Sequence, residues 1–138
     1  MIGRLWRELA WVLALALAPA LISGAVQVRW REWQPLARDE VTRAVVESWQ
    51  RPVLWVDARS RAKFEKAHAP EAVLLNEDEW NALVPAFLDA WEPDRPVVVY
   101  CDGGACEASH AVAKRLREEL QLTEVWVLKG GWDAWRQK

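Results

Sequence analysis

Cysteine is scarce in this sequence: Cys101 and Cys106 are the only two. Two residues five positions apart cannot supply the disulfide framework of a core-poor secreted module, so they read as chemistry before scaffolding. An excess of charge of one sign is missing too. The 18 basic and 20 acidic side chains leave a formal net charge of −2 and are spread along the chain, which excludes the strong basic field on which nucleic-acid binding depends. Repeats are also missing, since the eleven tryptophans, unusual in number, follow no period. Most of them are expected in a core or at a membrane interface. With 138 residues there is no length for a second core beside the first, so one domain is the working assumption.

Charge is wholly absent from one stretch. No charged residue occurs from Leu9 to Val28, and a helix needs about 20 apolar residues to cross the hydrocarbon core. Arg4 and Arg7 precede the run and the Trp30–Arg31–Trp33 cluster follows it, the basic flank and aromatic belt of a spanning helix. The run has no polar face, which argues against a helix of a soluble core. Residues 1–30 are therefore expected to be a single transmembrane or signal-anchor helix and residues 31–138 the domain it carries. A removable signal peptide is the alternative: Ser23 and Ala25 have the spacing of a cleavage site, and cleavage near Ala25 would release a secreted domain. Both readings place the domain outside the cytoplasm, in the periplasm of a bacterium, although Arg29, Arg31 and Arg38 on the far side run against the positive-inside rule.

Beyond Pro35, short apolar runs alternate with amphipathic stretches, the pattern of an α/β domain with a mostly parallel sheet. The spacing of Val41, Val45 and Val46 predicts a helix over 39–46, and Val53 to Val56 reads as a strand. Ser60 is expected to cap a helix over 61–66. Ala72 to Leu75 reads as a short strand, and residues 81–90 as a helix with Leu83, Phe87 and Leu88 inward. Val97-Val98-Val99-Tyr100 is a β-branched central strand that delivers Cys101 to its carboxyl end, where open α/β sheets bind ligands. Asp102-Gly103-Gly104-Ala105 forms a loop, residues 108–120 a helix, Val125 to Leu128 a last strand, and Gly130-Gly131 opens a terminal helix with Trp132 and Trp135.

A thiol between a strand end and a helix start meets unpaired backbone N–H groups and the positive end of the helix dipole, and both favour the thiolate. Three segments around Cys101 carry a resemblance. Val56-Asp57-Ala58-Arg59-Ser60, followed by Phe64 and by His68-Ala69-Pro70-Glu71-Ala72, is similar to the first signature of the rhodanese-like sulfurtransferase family. Val98-Val99-Tyr100-Cys101 with Gly104 resembles that family's active-site strand and loop, and Leu128-Lys129-Gly130-Gly131-Trp132-Asp133-Ala134-Trp135 its closing motif. The resemblance spans about Leu36 to Trp135. It implies an α/β three-layer domain with a central, mostly parallel sheet, in which Cys101 accepts a sulfane sulfur as a persulfide and passes it to a thiol or other thiophilic acceptor. The donor would be a small molecule or a protein. Neither a metal nor an organic cofactor is implied. Asp57, Arg59 and His68 take structural roles by the same resemblance, and the substrate loop runs through Asp102, Gly103, Gly104, Ala105, Cys106 and Glu107.

The chain departs from the family pattern in ways that bear on its chemistry. Ala67 and Glu71 replace two glycines of the first signature. The loop after Cys101 lacks the Arg or Lys that commonly holds an anionic donor such as thiosulfate, and carries two carboxylates and a second thiol instead. Lys129 or Arg59 is a candidate for the missing charge. Without an Arg at the Cys-x5-Arg position, a phosphatase or arsenate-reductase reading has no phosphate ligand. Cys106 generates a second function class, a thiol–disulfide or redox-sensing protein in which it resolves a persulfide or sulfenate on Cys101. A non-catalytic binding module is the third class, and the retained Cys101 disfavours it.

Overall fold

The computed structural model describes residues 36–103 and 107–137. The expected membrane or signal helix over 1–30 lies outside these residues, as do Gly104, Ala105 and Cys106. Contacts divide the chain between Pro35 and Leu36, and the unit from Leu36 onward is the domain described below. Among the described residues no helix is long and apolar enough to cross a membrane.

Strands β1 (Glu40–Val41), β2 (Leu54–Asp57), β3 (Val73–Leu74), β4 (Val97–Tyr100) and β5 (Val125–Leu128) form one sheet in the order β1-β5-β4-β2-β3, and every pairing is parallel. Helices α1 (Arg43–Ser48), α2 (Arg61–Lys66), α3 (Trp80–Ala90), α4 (Glu107–Glu119) and α5 (Gly131–Arg136) alternate with them. Strand β4 is buried along its whole length because both faces of the sheet are covered, which is why it reads as an uninterrupted apolar run. Its residues alternate between two cores. Val97 and Val99 join Leu54, Val56, Val125 and Val127 beneath Leu83 and Phe87 of α3 and Val112 and Leu116 of α4. Val98 and Tyr100 face the other way, toward Val46 of α1, with Trp49, Trp55, Trp126, Trp132 and Trp135 packed around them. Five of the eleven tryptophans thus line one face of the sheet.

Two local expectations need correction, and a third is met without its usual hydrogen bond. The helix expected over 39–46 starts only at Arg43: Glu40 and Val41 pair with Val127 and Leu128 at the sheet edge, and Thr42 stops the strand by accepting a hydrogen bond from Val45 N at 3.4 Å. Val41 and Val46 are buried and Val45 is exposed, so the three valines share no helical face. Leu88 also points outward from α3, while Leu83 and Phe87 are buried as expected. Ser60 does occupy the N-cap of α2, but its side chain makes no capping hydrogen bond.

Candidate active site

The connection after β2 runs outward to β3 and that after β4 runs the opposite way to β5, so the carboxyl ends of these two neighbouring strands flank a crevice. Cys101 follows β4 directly and is 3 % exposed. Ser109, in the first turn of α4, donates its hydroxyl to Cys101 Sγ at 3.4 Å. From the other side α5 holds the cysteine's backbone. Trp132 N donates to Cys101 O at 2.6 Å and Asp133 N to Asp102 O at 3.2 Å. Gly131 permits this approach, for at its φ of +54° a Cβ would collide with the Cys101 carbonyl and come within 3.0 Å of Gly103 N. Gly103 is pressed onto the same helix: a Cβ there would lie 2.9 Å from Asp133 Oδ2 and 3.3 Å from Gly130 O.

Beneath this loop lies a buried ion pair. Asp57 ends β2 fully buried, and Arg59 turns back to it with Nε and Nη2, at 2.9 Å to Oδ1 and 2.6 Å to Oδ2. Burial works against the guanidinium charge, but the hydrogen bonds and charge of Asp57 outweigh it and hold the Arg59 pKa above its ordinary value. Arg59 also donates to Ala67 O at 2.7 Å and lies 4.7 Å from the Trp132 ring centre. Ala69 N donates to the buried Tyr100 hydroxyl at 3.1 Å, which ties the turn after α2 to β4. Burial, and then the charge of Asp57, push the Tyr100 pKa up and keep the phenol protonated. His68 is exposed; its Nδ1 lies 2.8 Å from Phe64 O and its ring stacks on Phe64 at 3.9 Å. These contacts suit a turn-organising residue.

Two side chains that the sequence did not single out complete the site. Lys63, on α2, reaches Asp102 Oδ2 with Nζ at 2.7 Å and so brings a cation to the loop that lacks one of its own. Ser109 is the other. Its place in the first turn of the helix after the loop is a signal that spacing alone could have given, whereas Lys63 lies 39 residues upstream and nothing local points to it. Arg59, a candidate for that charge, is committed to Asp57 instead. Glu107 opens α4 and is exposed. Cys101 is disulfide-bonded, and no free cysteine stands among the described residues. Cys106 is the one other cysteine of the sequence. No group of three or more His, Cys, Asp or Glu side chains among the described residues is arranged to hold a metal ion. A cavity of about 360 Å³ lined by Trp91, Arg95, Gln121 and Glu124 opens at the amino ends of β4 and β5, the edge of the sheet opposite Cys101. In a parallel sheet the chemistry belongs at the carboxyl edge, so this cavity is separate from the candidate site.

Comparison with known proteins fits this geometry. Residues 38–138 match the family model of the rhodanese-like domain. Among solved structures, a protein from Bacillus halodurans aligns with a TM-score of 0.59 at 19% identity, covering 83% of this chain and 80% of its own. A rhodanese-like domain protein from Staphylococcus aureus gives 0.53 at 23% identity, with coverage of 70% and 90%. The rhodanese-like domain of an Anabaena sp. protein gives 0.57 at 24% identity, with coverage of 72% and 74%. At these identities the structures share the fold.

Proposed function

This chain belongs to the rhodanese-like domain family, and from that premise we propose that it is a sulfurtransferase in which Cys101 carries the transferred sulfur. The observation that supports this best is the setting of Cys101: a buried thiol position at the carboxyl end of the central strand, with the Ser109 hydroxyl on its sulfur and its backbone pinned by α5. Reduction of the Cys101 disulfide by two electrons and two protons from thiols comes first. The Cys101 thiolate then attacks the sulfane sulfur of a donor. A new S–S bond forms, the donor's S–S or S–C bond breaks, and the donor remnant leaves with the electron pair, so that Cys101 holds a persulfide. An acceptor thiolate, or cyanide in an assay, attacks the outer sulfur and releases the Cys101 thiolate. Ser109 and the start of α4 stabilise the sulfur anion. Asp57 and Arg59 hold the crevice rigid and take no part in the transfer.

Intact-mass measurement on the reduced, desalted chain tests the reading. Exposure to thiosulfate, mercaptopyruvate or a polysulfide is expected to add one sulfur atom, mapped to Cys101 and removed by cyanide. No adduct with any of the three would overturn it.

A second reading has its own observation, the disulfide-bonded state of Cys101. In a thiol–disulfide or redox-sensing protein, Cys106 would resolve the oxidised Cys101, and sulfur would not be transferred. Peptide mapping without reductant separates the two: a Cys101–Cys106 peptide pair formed under mild oxidation, with no persulfide from any donor, favours the redox protein. Around this chemistry we place the N-terminal run as a membrane anchor with the domain outside the cytoplasm, on the strength of its uncharged length and aromatic flank.

A further inference from the structure

Three ion pairs among the described residues lie close to the start of the Cys101 loop. Arg59 is bound to Asp57 and Arg136 to Asp133 at 2.5 Å, while Lys63 is bound to Asp102 at 2.7 Å. The first pair is buried beneath the loop. The second is exposed, with Asp133 facing Gly103. The Lys63–Asp102 pair is also more than half exposed, and it alone of the three includes the residue that directly follows the nucleophile. Glu107, exposed at the start of α4, adds a further negative charge on the loop's far end. The Lys63 charge that reaches the loop is therefore neutralised by Asp102. A small dianion must either displace Asp102 from Lys63 or approach a carboxylate, and both raise the free energy of its encounter with Cys101.

We propose that the Lys63–Asp102 pair sets donor specificity, selecting sulfane donors of low charge, such as thiosulfonates and organic persulfides, over the dianion thiosulfate. This rests on the sulfurtransferase reading and names the substrate class of that same site. The two donor types differ at the leaving group and not in the bond broken. Thiosulfate gives up its outer sulfur and leaves as sulfite, with two negative charges. Methanethiosulfonate gives up the same kind of sulfur and leaves as methanesulfinate, with one. In each case the Cys101 thiolate becomes a persulfide anion, so charge and atoms balance.

The test is the ratio of kcat/KM for thiosulfate to that for methanethiosulfonate, measured on the full reduced chain with cyanide as acceptor. Asp102→Asn leaves Lys63 to meet the donor. Coulomb's law at a few ångströms in water then raises the thiosulfate value about tenfold and the monoanion's by about the square root of that, so the ratio rises about threefold. Lys63→Gln leaves Asp102 unneutralised and is expected to lower the ratio by about the same factor. Both shifts should fade near 1 M salt, where the screening length falls to about 3 Å. A purely structural pair would change stability and move both donors together, leaving the ratio fixed. An unchanged ratio in both variants, with persulfide still formed on Cys101, overturns the specificity proposal and leaves the sulfurtransferase standing. Absence of persulfide from both donors in the unaltered chain and in the variants overturns the sulfurtransferase reading and this proposal with it.

Discussion

At the scale of single residues the candidate site divides into the group proposed to react and the groups that hold it. Cys101→Ser keeps the shape of a buried, strand-end side chain but removes the acidic thiol. It is expected to abolish persulfide formation, read by mass, with an unfolding midpoint close to that of the unaltered protein when both are measured under reductant; retained turnover would refute the role of Cys101. Asp57 contributes through Arg59. Replacing it by Asn leaves a buried guanidinium without its counter-charge, which costs about 3–5 kcal/mol, measurable by urea unfolding. Tyr100 gives a pH dependence. Its folded-state pKa lies above the unfolded value, so its contribution is complete below about pH 10 and is lost as pH rises further. The unaltered protein should therefore lose stability more steeply above about pH 10 than Tyr100→Phe does, and equal slopes would show that Tyr100 titrates alike in both states.

At the scale of elements, the short helix α5 matters more than its length suggests, because its first backbone N–H groups fix the carbonyls of Cys101 and Asp102. Gly131→Ala forces a side chain into the left-handed region and against the Cys101 backbone. The expected cost is about 1–3 kcal/mol, together with a lower rate of persulfide formation in single-turnover measurements. A variant as stable and as fast as the parent would show that the loop yields without consequence. His68 acts on α2, where its ring nitrogen and face both meet Phe64. His68→Ala is expected to lower stability by about 1 kcal/mol and to spare the chemical step. A hundredfold slower turnover at unchanged stability would instead make His68 part of the chemistry.

At the scale of the whole molecule, the uncharged N-terminal run predicts that the full chain stays in the membrane fraction after an alkaline carbonate wash. Recovery of a soluble species beginning near Val26 would establish cleavage in its place. Within the domain, the elements with strong internal signals were legible. The four-residue apolar run of β4 is the strand expected, Val112 and Leu116 are the buried face of α4, and Gly130-Gly131 opens α5 as read. Those whose state depends on a distant partner were not. Val41 is a strand residue only because β5, more than 80 residues later, lies beside it, and no local preference encodes that pairing. The same division runs through the candidate site. Strand, loop and helix in series put Cys101 at the sheet's carboxyl edge, and this much follows from the order of residues, since chain direction and the parallel sheet leave few other places for it. Lys63 beside Asp102 and α5 clasping the Cys101 carbonyl were decided by tertiary structure alone. Each joins side chains or backbone groups on separate elements, and a charge carries no mark in sequence of the partner that folding brings to it.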